Sequence, residues 1–590
     1  MIVPMKKAFL FLQKNHARDS LSELASLGLL HVEHQRPPAG EEVSSLGENI
    51  AVTDQAVLIL SSWQKTPQGE EPLKDDLLSF CHHVVDLQKR LDQLKEYSVT
   101  LKSAIDRWSP WGDFDPQEIK RLADAGVYVK FCQVPRESLK GIGPETAVKI
   151  VFSEGAVENC ILVSRQDAPS GFKELDPPRL SLSQMRRRLS EDAGAMETIR
   201  KQLEDYGAYR KSVLEGRRSL IYKKNFFETL NGAAEAGELV YLKGYLPSEK
   251  EAEFVSCVKK KGWGIFTLDP DEKDEVPTLL RNPRWVAFIK PLLKLLELVP
   301  GYHELDISLL FIIFFSVFFG ILIGDAGYGL VYFLLNLWVH RKFGSRIKDK
   351  SAFFLFYILS SCAMIWGLLT GTFFGQSWLL SLGIKPLLPV LTDTVFIQKF
   401  CFFLGALHLT LAHAWKGIVK LPSLSALADA GWICIIWAAF FLADSLILGG
   451  GFPSCGGGLI IAGLALVLFF ASPQKNIFKA AASGLGTIAL SLVNNFTDVV
   501  SYIRLFAVGL ATVAIADAFN NMAAGVVEKG NFFTLGAAVL ILICGHVLNI
   551  ILGLMSVLVH GVRLNVLEFC SHLGVSWSGF DYKPFARETE

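Results

Sequence analysis

The sequence has no excess of charge of either sign, because its 590 residues include 58 basic and 58 acidic side chains. A protein that binds nucleic acid through phosphates needs a basic surface, so nucleic acid is excluded as the main partner. The phosphate-binding loop G-x-x-x-x-G-K-[ST] is also missing, and Gly484 and Gly486 stand without the rest of a dinucleotide motif. We therefore expect no nucleotide site and no cofactor.

Cysteine is present but forms no recognisable framework. The ten cysteines are scattered, and Cys362, Cys434 and Cys544 fall inside apolar runs. Cys81 is followed by two histidines, but no second pair of ligands follows at the spacing of a zinc site, so we interpret this cluster as part of a helix. The sequence predicts neither a disulfide network nor a metal site.

The N-terminus lacks a secretion signal. Its apolar core, residues 8–12, ends at Gln13 and is shorter than the roughly seven apolar residues that a signal peptide needs. We interpret this segment as a first β-strand and expect the N-terminal half of the chain to lie in the cytoplasm.

Charge and hydropathy divide the chain into unlike parts. Residues 1–300 are rich in charges of both signs, residues 301–575 consist of long apolar runs separated by short polar loops, and residues 576–590 form a tail. The predicted fold is a cytoplasmic α/β domain of two lobes with an antiparallel coiled-coil hairpin, followed by a polytopic α-helical membrane domain of about eight spans.

Two repeating apolar patterns predict the hairpin, since apolar residues recur every three or four positions in both of its segments. The predicted parts are a proximal lobe (1–70 and 225–295), the hairpin (73–108 and 180–222) and a distal lobe (109–178). Within the proximal lobe, residues 7–32 and 239–268 are expected to pair. Two ordinary amphipathic helices on a globular core are the alternative, but the length of the seams favours an extended stalk.

The membrane domain is predicted from eight apolar stretches. They lie near residues 305–323, 326–340, 352–374, 396–415, 428–448, 457–471, 481–524 and 533–571. Basic residues cluster after the second, fourth and sixth stretches, so the positive-inside rule gives eight spans with both ends cytoplasmic if residues 305–340 form a tight pair of spans. The last two stretches have about 40 residues each, twice the length that a membrane normal requires, so both helices should tilt or protrude.

Arg504 is the most informative residue of the chain. It lies in the middle of an apolar run, where a guanidinium costs roughly 2.5–3.5 kcal/mol and cannot lose its proton. Such a group needs an anionic partner or a water-filled path, so an ion pathway is the first hypothesis. The alternative is an arginine that reaches the interface or forms a static salt bridge between helices.

Two polar stripes accompany this arginine. On the seventh stretch, Asn494, Asp498 and Ser501 precede Arg504 at helical spacing. Polar side chains of the eighth stretch share a face: His546, Asn549, Ser556, His560 and Arg563, with Glu568 a little further round. Packing alone does not explain two stripes that each carry an arginine. We interpret them as two aqueous half-paths flanked by fixed positive charge.

An unpaired arginine can control a mobile carboxylate on a partner. Close to the arginine the carboxylate is held ionised, whereas in lipid desolvation favours its neutral, ion-loaded form. A partner that moves past the arginine must therefore release its ion on one side and reload from the other. The arginine also repels cations and so blocks a direct leak between the half-paths.

The segment from Phe496 to Leu505 resembles the penultimate-helix signature of the membrane stator subunit of rotary V-type (A/V-type) ATPases, called subunit a or subunit I. Similar motifs occur elsewhere: Phe319 to Leu330, Trp366 to Gly375, His560 to Phe569, Pro110 to Gly112 and Gly244 to Pro247. The resemblance covers the whole chain in order, and its short loops suit the prokaryotic type.

The resemblance implies a non-catalytic subunit of an ion-translocating ATPase or ATP synthase in the cell (plasma) membrane. Its expected partners are the proteolipid ring, the peripheral-stalk subunits E and G, the central-stalk or ring-adaptor region of the soluble part, and the bilayer. Arg504 would be the essential arginine and Arg563 its neighbour, acting on H⁺ or Na⁺. Because Gly553 stands where many members carry an acidic group, Asp498, Glu568 and Asp325 become candidate half-channel carboxylates.

Two other classes of function compete. A secondary ion-coupled transporter with a cytoplasmic regulatory domain suits eight spans with buried charges, but we find no convincing repeat between residues 305–450 and 451–575. A membrane-anchored scaffold would use the same charges structurally. Replacing the arginine of a scaffold would abolish assembly. Replacing the arginine of a stator would abolish transport and leave the complex assembled.

Overall fold

The structure is a computed structural model. It describes residues 1–63, 72–73, 76–141, 145–167, 171–345, 347, 349–375, 386–470, 490–527 and 532–587. Parts of the basic clusters used to count spans (residues 346, 348, 475 and 479), the start of the seventh predicted span (481–489) and the end of the tail lie outside the described residues.

The strands belong to two sheets. They are β1 (Met5–Gln13), β2 (His31–Glu33), β3 (Tyr128–Pro135), β4 (Ala147–Glu154), β5 (Val157–Ser164), β6 (Lys173–Leu175), β7 (Ala234–Ala236), β8 (Leu239–Pro247) and β9 (Gly264–Leu268). One sheet has the order β2-β8-β1-β9 with β7 paired to β8, and the other has the order β4-β5-β3-β6. The first sheet therefore joins the two outer segments that the sequence predicts to pair.

The helices of the N-terminal half include three long ones. They are α1 (Ala17–Leu27), α2 (Glu41–Trp63), α3 (Leu77–Trp108), α4 (Pro116–Asp124), α5 (Leu182–Tyr206), α6 (Arg210–Gly232) and α7 (Glu251–Lys260). Helix α5 begins with a capping box between Ser181 and Gln184, and a short 3₁₀ turn, Gly207–Tyr209, separates it from α6.

The chain divides into two compact units, one of Met1–Ala8 with Gly244–Pro584 and one of Phe9–Lys243 with Phe585–Glu590. In the second unit, α3 packs on α5 as the hairpin pattern predicts, but α2 also packs on α3 and α6. Leu60 of α2 shares one core with Phe80 and Val84 of α3 and Leu203 of α5. Helix α2 falls within the predicted proximal lobe (1–70) but adds a third helix to this bundle.

The small sheet of this unit is closed by aromatic residues at the end of α3 and just after it. Trp108 and Trp111 each meet Phe131 of β3 edge-on, with ring centroids 5.3 Å apart, and Phe114 stacks on the same ring at 4.8 Å. Strands β3 and β5 run antiparallel with Cys132 opposite Cys160. The residues that stop α3 therefore also form the core of the lobe between the two seams.

Helices dominate the other unit. They are α8 (Lys290–Leu295), α9 (Ser308–Ile323), α10 (Ala326–Phe343), α11 (Ser351–Thr370), α12 (Thr394–Lys420), α13 (Ala426–Leu448), α14 (Ser454–Phe470), α15 (Leu490–Val527) and α16 (Phe532–Leu573). Among the described residues, five are long and apolar enough to cross a membrane: α11, α12, α13, α15 and α16. Helices α9 and α14 are apolar but shorter.

Helix α9 lies at the centre of this unit. Its side chains Phe315, Phe318 and Leu322 are almost completely buried, and it packs on α11, α15 and α16. It ends at Gly324, which has a positive φ of 66°, and Asp325 then caps α10 by accepting the N–H groups of Gly327 and Tyr328. Helix α10 packs chiefly on α11.

The two last helices have 38 and 42 residues, which confirms the predicted long pair. Both are irregular near their charged residues. In α15, the N–H of Tyr502 donates to the Val499 carbonyl and that of Leu505 to the Tyr502 carbonyl, a tightened turn beside Arg504. In α16, π-helical turns occupy Val557–Gly561 and Leu564–Phe569. Such irregular turns reorient side chains, and here they carry His560 and Glu568.

Candidate functional site

Arg504 lies in α15 with its side chain about one-fifth exposed. Its Nη2 donates to Oε1 of Glu568 in α16 at 2.5 Å, and its Nε donates to the Ser501 carbonyl at 2.9 Å. The second bond folds the side chain back along its own helix. The guanidinium is therefore held in one orientation by two independent acceptors.

Glu568 is nearly buried and also lies near Arg563, whose Nε is 3.4 Å from the same Oε1 atom. The other carboxylate oxygen, Oε2, is buried without a hydrogen-bond partner among the described residues. Two arginines and one carboxylate leave this group, which we call the arginine cluster, with a net charge of +1. The arginine cluster can therefore bind a further anionic group without an additional cation.

The expectation of an unpaired Arg504 is wrong for the chain by itself. A guanidinium surrounded by apolar side chains is stabilised by a carboxylate in hydrogen-bond contact, and α16 supplies one. The salt bridge between helices that the sequence analysis held as an alternative is therefore present. It does not neutralise the site, because Arg563 remains as a second cation and is half exposed.

A second polar cluster lies one to two turns before Arg504. Oδ2 of Asp498 is 3.0 Å from Nε2 of His572, and Nδ1 of His572 is 3.0 Å from Nε2 of His413. Nδ1 of His413 is in turn 3.2 Å from Oδ1 of Asp429. We call these four residues the histidine chain. It connects α15, α16, α12 and α13.

Two lysines flank the histidine chain. Lys420 donates to Oδ2 of Asp429 at 2.7 Å, and Lys416 donates to the carbonyl of His572 at 3.3 Å. A cavity of about 300 Å³ opens beside the histidine chain. It is lined by His413, Lys416, Trp432, Ser491, Asn494, Asn495, Asp498, Ser571 and His572. Cavities of this size and polarity hold ordered water.

A second cavity of about 300 Å³ lies on the other side of Arg504 along α15. The α15 residues that line it are Leu505, Phe506, Gly509, Leu510 and Val513. The α15 residues that line the first cavity lie between Ser491 and Asp498. Most of the lining of the second cavity is apolar, and threonines at positions 370, 372, 392 and 394 supply the polar side chains. Arg504 thus lies between the stretches of α15 that border two separate cavities.

The remaining predicted residues are placed apart from these clusters. His546 hydrogen-bonds to the Tyr328 hydroxyl at 2.7 Å through Nδ1, and Asn549 donates to the Thr512 carbonyl at 2.8 Å. Ser501 donates to the Asp498 carbonyl at 2.8 Å, a bond within its own helix. Ser556 and His560 are half-buried in α16, and Nδ1 of His560 is buried without a partner among the described residues.

Asp325 is completely buried, and its carboxylate is occupied by backbone groups. Oδ1 accepts the N–H groups of Gly327 at 2.7 Å and Tyr328 at 3.1 Å, and Oδ2 accepts that of Gly375 at 2.8 Å. These bonds cap α10 and fix the segment after α11 to it. The contacts of Asp325 are those of a helix cap and do not include the arginine cluster.

Three members of the histidine chain were missed in the sequence. His413, Asp429 and His572 are ionisable residues inside or at the end of apolar runs, which is a signal for function in itself. They lie on three different helices, so no periodic pattern within one stretch of sequence relates them to one another. Their relationship appears only when α12, α13 and α16 are brought together.

No protein-family model matches the sequence. The chain is 30% identical to the V-type ATP synthase subunit I of Borreliella burgdorferi, with 100% of both chains aligned. It is 32% identical to the V-type ATP synthase subunit I 1 of Treponema pallidum over 99% of this chain and 100% of the relative. The A-type ATP synthase subunit I of Methanocaldococcus jannaschii is 26% identical over 67% of this chain and 64% of its own length.

Among solved structures, the cytoplasmic N-terminal domain of subunit I, homolog of subunit a, of V-ATPase aligns with 45% of this chain and 100% of its own. Identity is 15% and the TM-score is 0.23, a likeness too weak to argue from. The full-length relatives carry the assignment and favour it over a secondary transporter. The chain belongs to the family of subunit I of V-type and A-type ATP synthases and is a membrane-embedded subunit of such a rotary complex, not a catalytic enzyme by itself.

Proposed function

We propose that this chain is the membrane stator of its rotary complex and provides two ion half-channels against a ring of proteolipids. In this proposal Arg504 forces each ring carboxylate to release its ion on one side and to reload from the other. The observation that carries the proposal is the position of Arg504 between two cavities that border successive stretches of the same helix.

The charge of the arginine cluster supports an interaction with a further carboxylate. A ring carboxylate that approaches Arg504 meets a site with a net charge of +1 and becomes ionised by charge proximity. Glu568 holds Arg504 between these encounters, so the guanidinium need not stand uncompensated in the membrane. The static salt bridge and the ion-release site are then two states of one residue.

The surface of α15 supports a close neighbour at this place. Four alanines follow Arg504 at a spacing of three or four residues and are exposed: Ala507, Ala511, Ala514 and Ala518. Small residues on one face of a membrane helix allow another helix to approach closely. The apolar window of α16 is only 22% buried, whereas the corresponding windows of the other long apolar helices are 33–44% buried. A proteolipid ring on this side would cover both surfaces.

The rest of the assignment follows from membership of the family. We propose that residues 1–300 form a cytoplasmic stalk domain that binds the peripheral-stalk subunits E and G and meets the central-stalk or ring-adaptor region. Residues 301–575 would form the ion-translocation domain in the cell (plasma) membrane, with the tail returning to the cytoplasm. The stator would couple ion flow to ATP hydrolysis or synthesis that other subunits catalyse.

Cysteine cross-linking in the assembled complex tests the contact with the ring. In a background where the exposed Cys455 and Cys544 are replaced by serine, Ala511→Cys should form a disulfide with a cysteine introduced beside the ring carboxylate. Ala462→Cys in α14 is the matched control, since it is also an exposed alanine on an apolar helix. Cross-linking at position 462 in place of 511 would contradict the proposed face.

A further inference from the structure

We propose that the ion moved by this stator is the proton, and that the histidine chain carries it between Asp429 and Asp498. The proposal rests on the proposed function, because it names the ion that the half-channel on this side of Arg504 delivers. It is drawn from four residues that form an unbroken line of hydrogen-bond distances: 3.0 Å, 3.0 Å and 3.2 Å.

The histidine chain is made of groups that exchange protons, and most of it is shielded from solvent. His413, His572 and Asp429 are each less than one-tenth exposed, and Asp498 opens onto the polar cavity. An imidazole has two nitrogens, so it can accept a proton on one side and give a different proton from the other. Two imidazoles in direct contact can therefore pass a proton from one to the other.

The transfer balances at every step. Protonated Asp429 gives its proton from Oδ1 to Nδ1 of His413. The proton on Nε2 of His413 then passes to Nδ1 of His572, and the proton on Nε2 of His572 passes to Oδ2 of Asp498. Each ring gains one proton and loses one, so Asp429 ends ionised and Asp498 ends protonated. The reverse sequence moves a proton towards Asp429. Before the next transfer in the same direction, each ring recovers its starting tautomer by giving the proton on Nδ1 to water and taking one from water at Nε2, and both rings border the polar cavity.

A sodium ion has no comparable path along these residues. Hard cations take several oxygen ligands, whereas the centre of the chain offers two nitrogens that are already engaged with each other. Lys416 and Lys420 add positive charge beside His572 and Asp429 and oppose the approach of a metal cation. A proton is not repelled in this way, because it passes between hydrogen-bonded groups and does not cross the site as a separate ion.

A static network that locks four helix ends together would contain the same contacts. A glutamine substitution distinguishes the structural role from the proton relay. Glutamine at position 413 can still donate and accept hydrogen bonds, but it cannot take up and release a proton at neutral pH. The substitution therefore keeps a structural bond and removes the relay.

The ion itself is tested with the purified complex in sealed proteoliposomes supplied with ATP. The proposal predicts acidification of the lumen in sodium-free choline buffer, reported by a pH-sensitive dye, and no ATP-dependent accumulation of ²²Na⁺ when a protonophore is present. Accumulation of ²²Na⁺ that persists with the protonophore would overturn the inference and leave the stator function intact. An assembled, ATP-hydrolysing complex that moves neither ion would contradict the stator function as well.

The path is tested in the same vesicles with His413→Gln. Acid–base groups typically contribute about 10²–10⁴-fold to a rate, so we expect proton transport to fall by at least about tenfold while assembly is retained. His340→Gln is the matched control, because His340 hydrogen-bonds to the Tyr357 hydroxyl at 3.2 Å on α10 and lies outside the histidine chain. Proton transport at the wild-type rate in His413→Gln would exclude the chain as the path.

Discussion

Arg504 of α15 and Glu568 of α16 form a salt bridge of 2.5 Å within the apolar part of the chain, and Arg563 approaches the same carboxylate oxygen. The pair compensates the charge of Arg504, which we propose to be the stator arginine. Because Arg563 is a second cation, the cluster keeps a net positive charge and can exchange Glu568 for another carboxylate. This relationship links the stability of the last two helices to the proposed ion release.

Removal of the acidic partner should weaken the two-helix unit. In Glu568→Gln the guanidinium of Arg504 loses its counter-charge, and breaking a fully buried pair costs about 3–5 kcal/mol. We expect a smaller loss here because the Arg504 side chain is about one-fifth exposed. Thermal denaturation of the assembled complex measures it. The double variant Glu568→Gln/Arg563→Gln should regain part of the stability, and a double variant less stable than Glu568→Gln would argue against charge balance as the cause.

Asp498 should be required for transport but not for assembly. Asp498→Asn keeps the shape of the side chain and removes the group that exchanges a proton with His572, so ATP-driven transport should fall by at least about tenfold. Asp517→Asn is a control on the same helix, where the exposed carboxylate accepts a hydrogen bond from Asn521, one turn further on. Equal transport in both variants would remove Asp498 from the path.

Several features of the membrane region were predictable because they depend on local sequence. Span 428–448 was predicted and Ala426–Leu448 is observed, and the two long final helices follow directly from their apolar length. Arg504, Arg563 and Glu568 were selected because charges within apolar runs are costly wherever the helices pack. Those signals need no knowledge of the tertiary structure.

The features that were missed depend on contacts between distant segments. The pairing of His413 with His572 joins residues 159 positions apart, and no pattern within either helix indicates that the two will meet. The π-helical turn that carries Glu568 and the packing of α2 on α6 are likewise outcomes of tertiary packing. Asp325 was placed with the half-channel candidates because it is acidic and lies between apolar stretches, but its three backbone bonds make it a cap.

The C-terminal tail should respond to acid. Burial alone would raise the pKa of Glu304, but hydrogen bonds from Ser576 and from the N–H groups of Gly301, Ser576 and Trp577 outweigh it and hold the pKa below its ordinary value of 4.5. The ionised carboxylate therefore stabilises the folded tail fully above pH 4.5, and this contribution is lost as the pH falls below that value.

Limited proteolysis near residue 576 measures this release. Cleavage in the wild type should increase as the pH falls below 4.5, read with a protease active across that range. Glu304→Gln should be cleaved readily at neutral pH and change little on acidification. A wild-type tail that remains equally protected at low pH would contradict the assignment of its anchor.

Close packing of α11 on the start of α10 should not tolerate a methyl group. A Cβ at Gly367 would lie 2.0 Å from the Ala326 nitrogen and 2.6 Å from the Asp325 carbonyl carbon, so backbone must move. Overpacking of this kind costs about 1–3 kcal/mol or more, and we expect Gly367→Ala to lower the thermal stability and yield of the complex. Gly525→Ala in α15 is the control, since nothing lies within 4 Å of its Cβ position. Comparable losses in both variants would point away from the α10–α11 contact.

If Arg504 couples the ring to ion flow, the coupling is measured by ATP-driven ion uptake into membrane vesicles that carry Arg504→Ala. ATP hydrolysis and subunit assembly are followed in parallel, with Arg341→Ala at the exposed end of α10 as the matched arginine control. We predict assembled complexes that accumulate no ions in Arg504→Ala and normal uptake in Arg341→Ala. Normal uptake in Arg504→Ala would contradict the mechanism, and loss of assembly in that variant alone would assign Arg504 to a structural salt bridge.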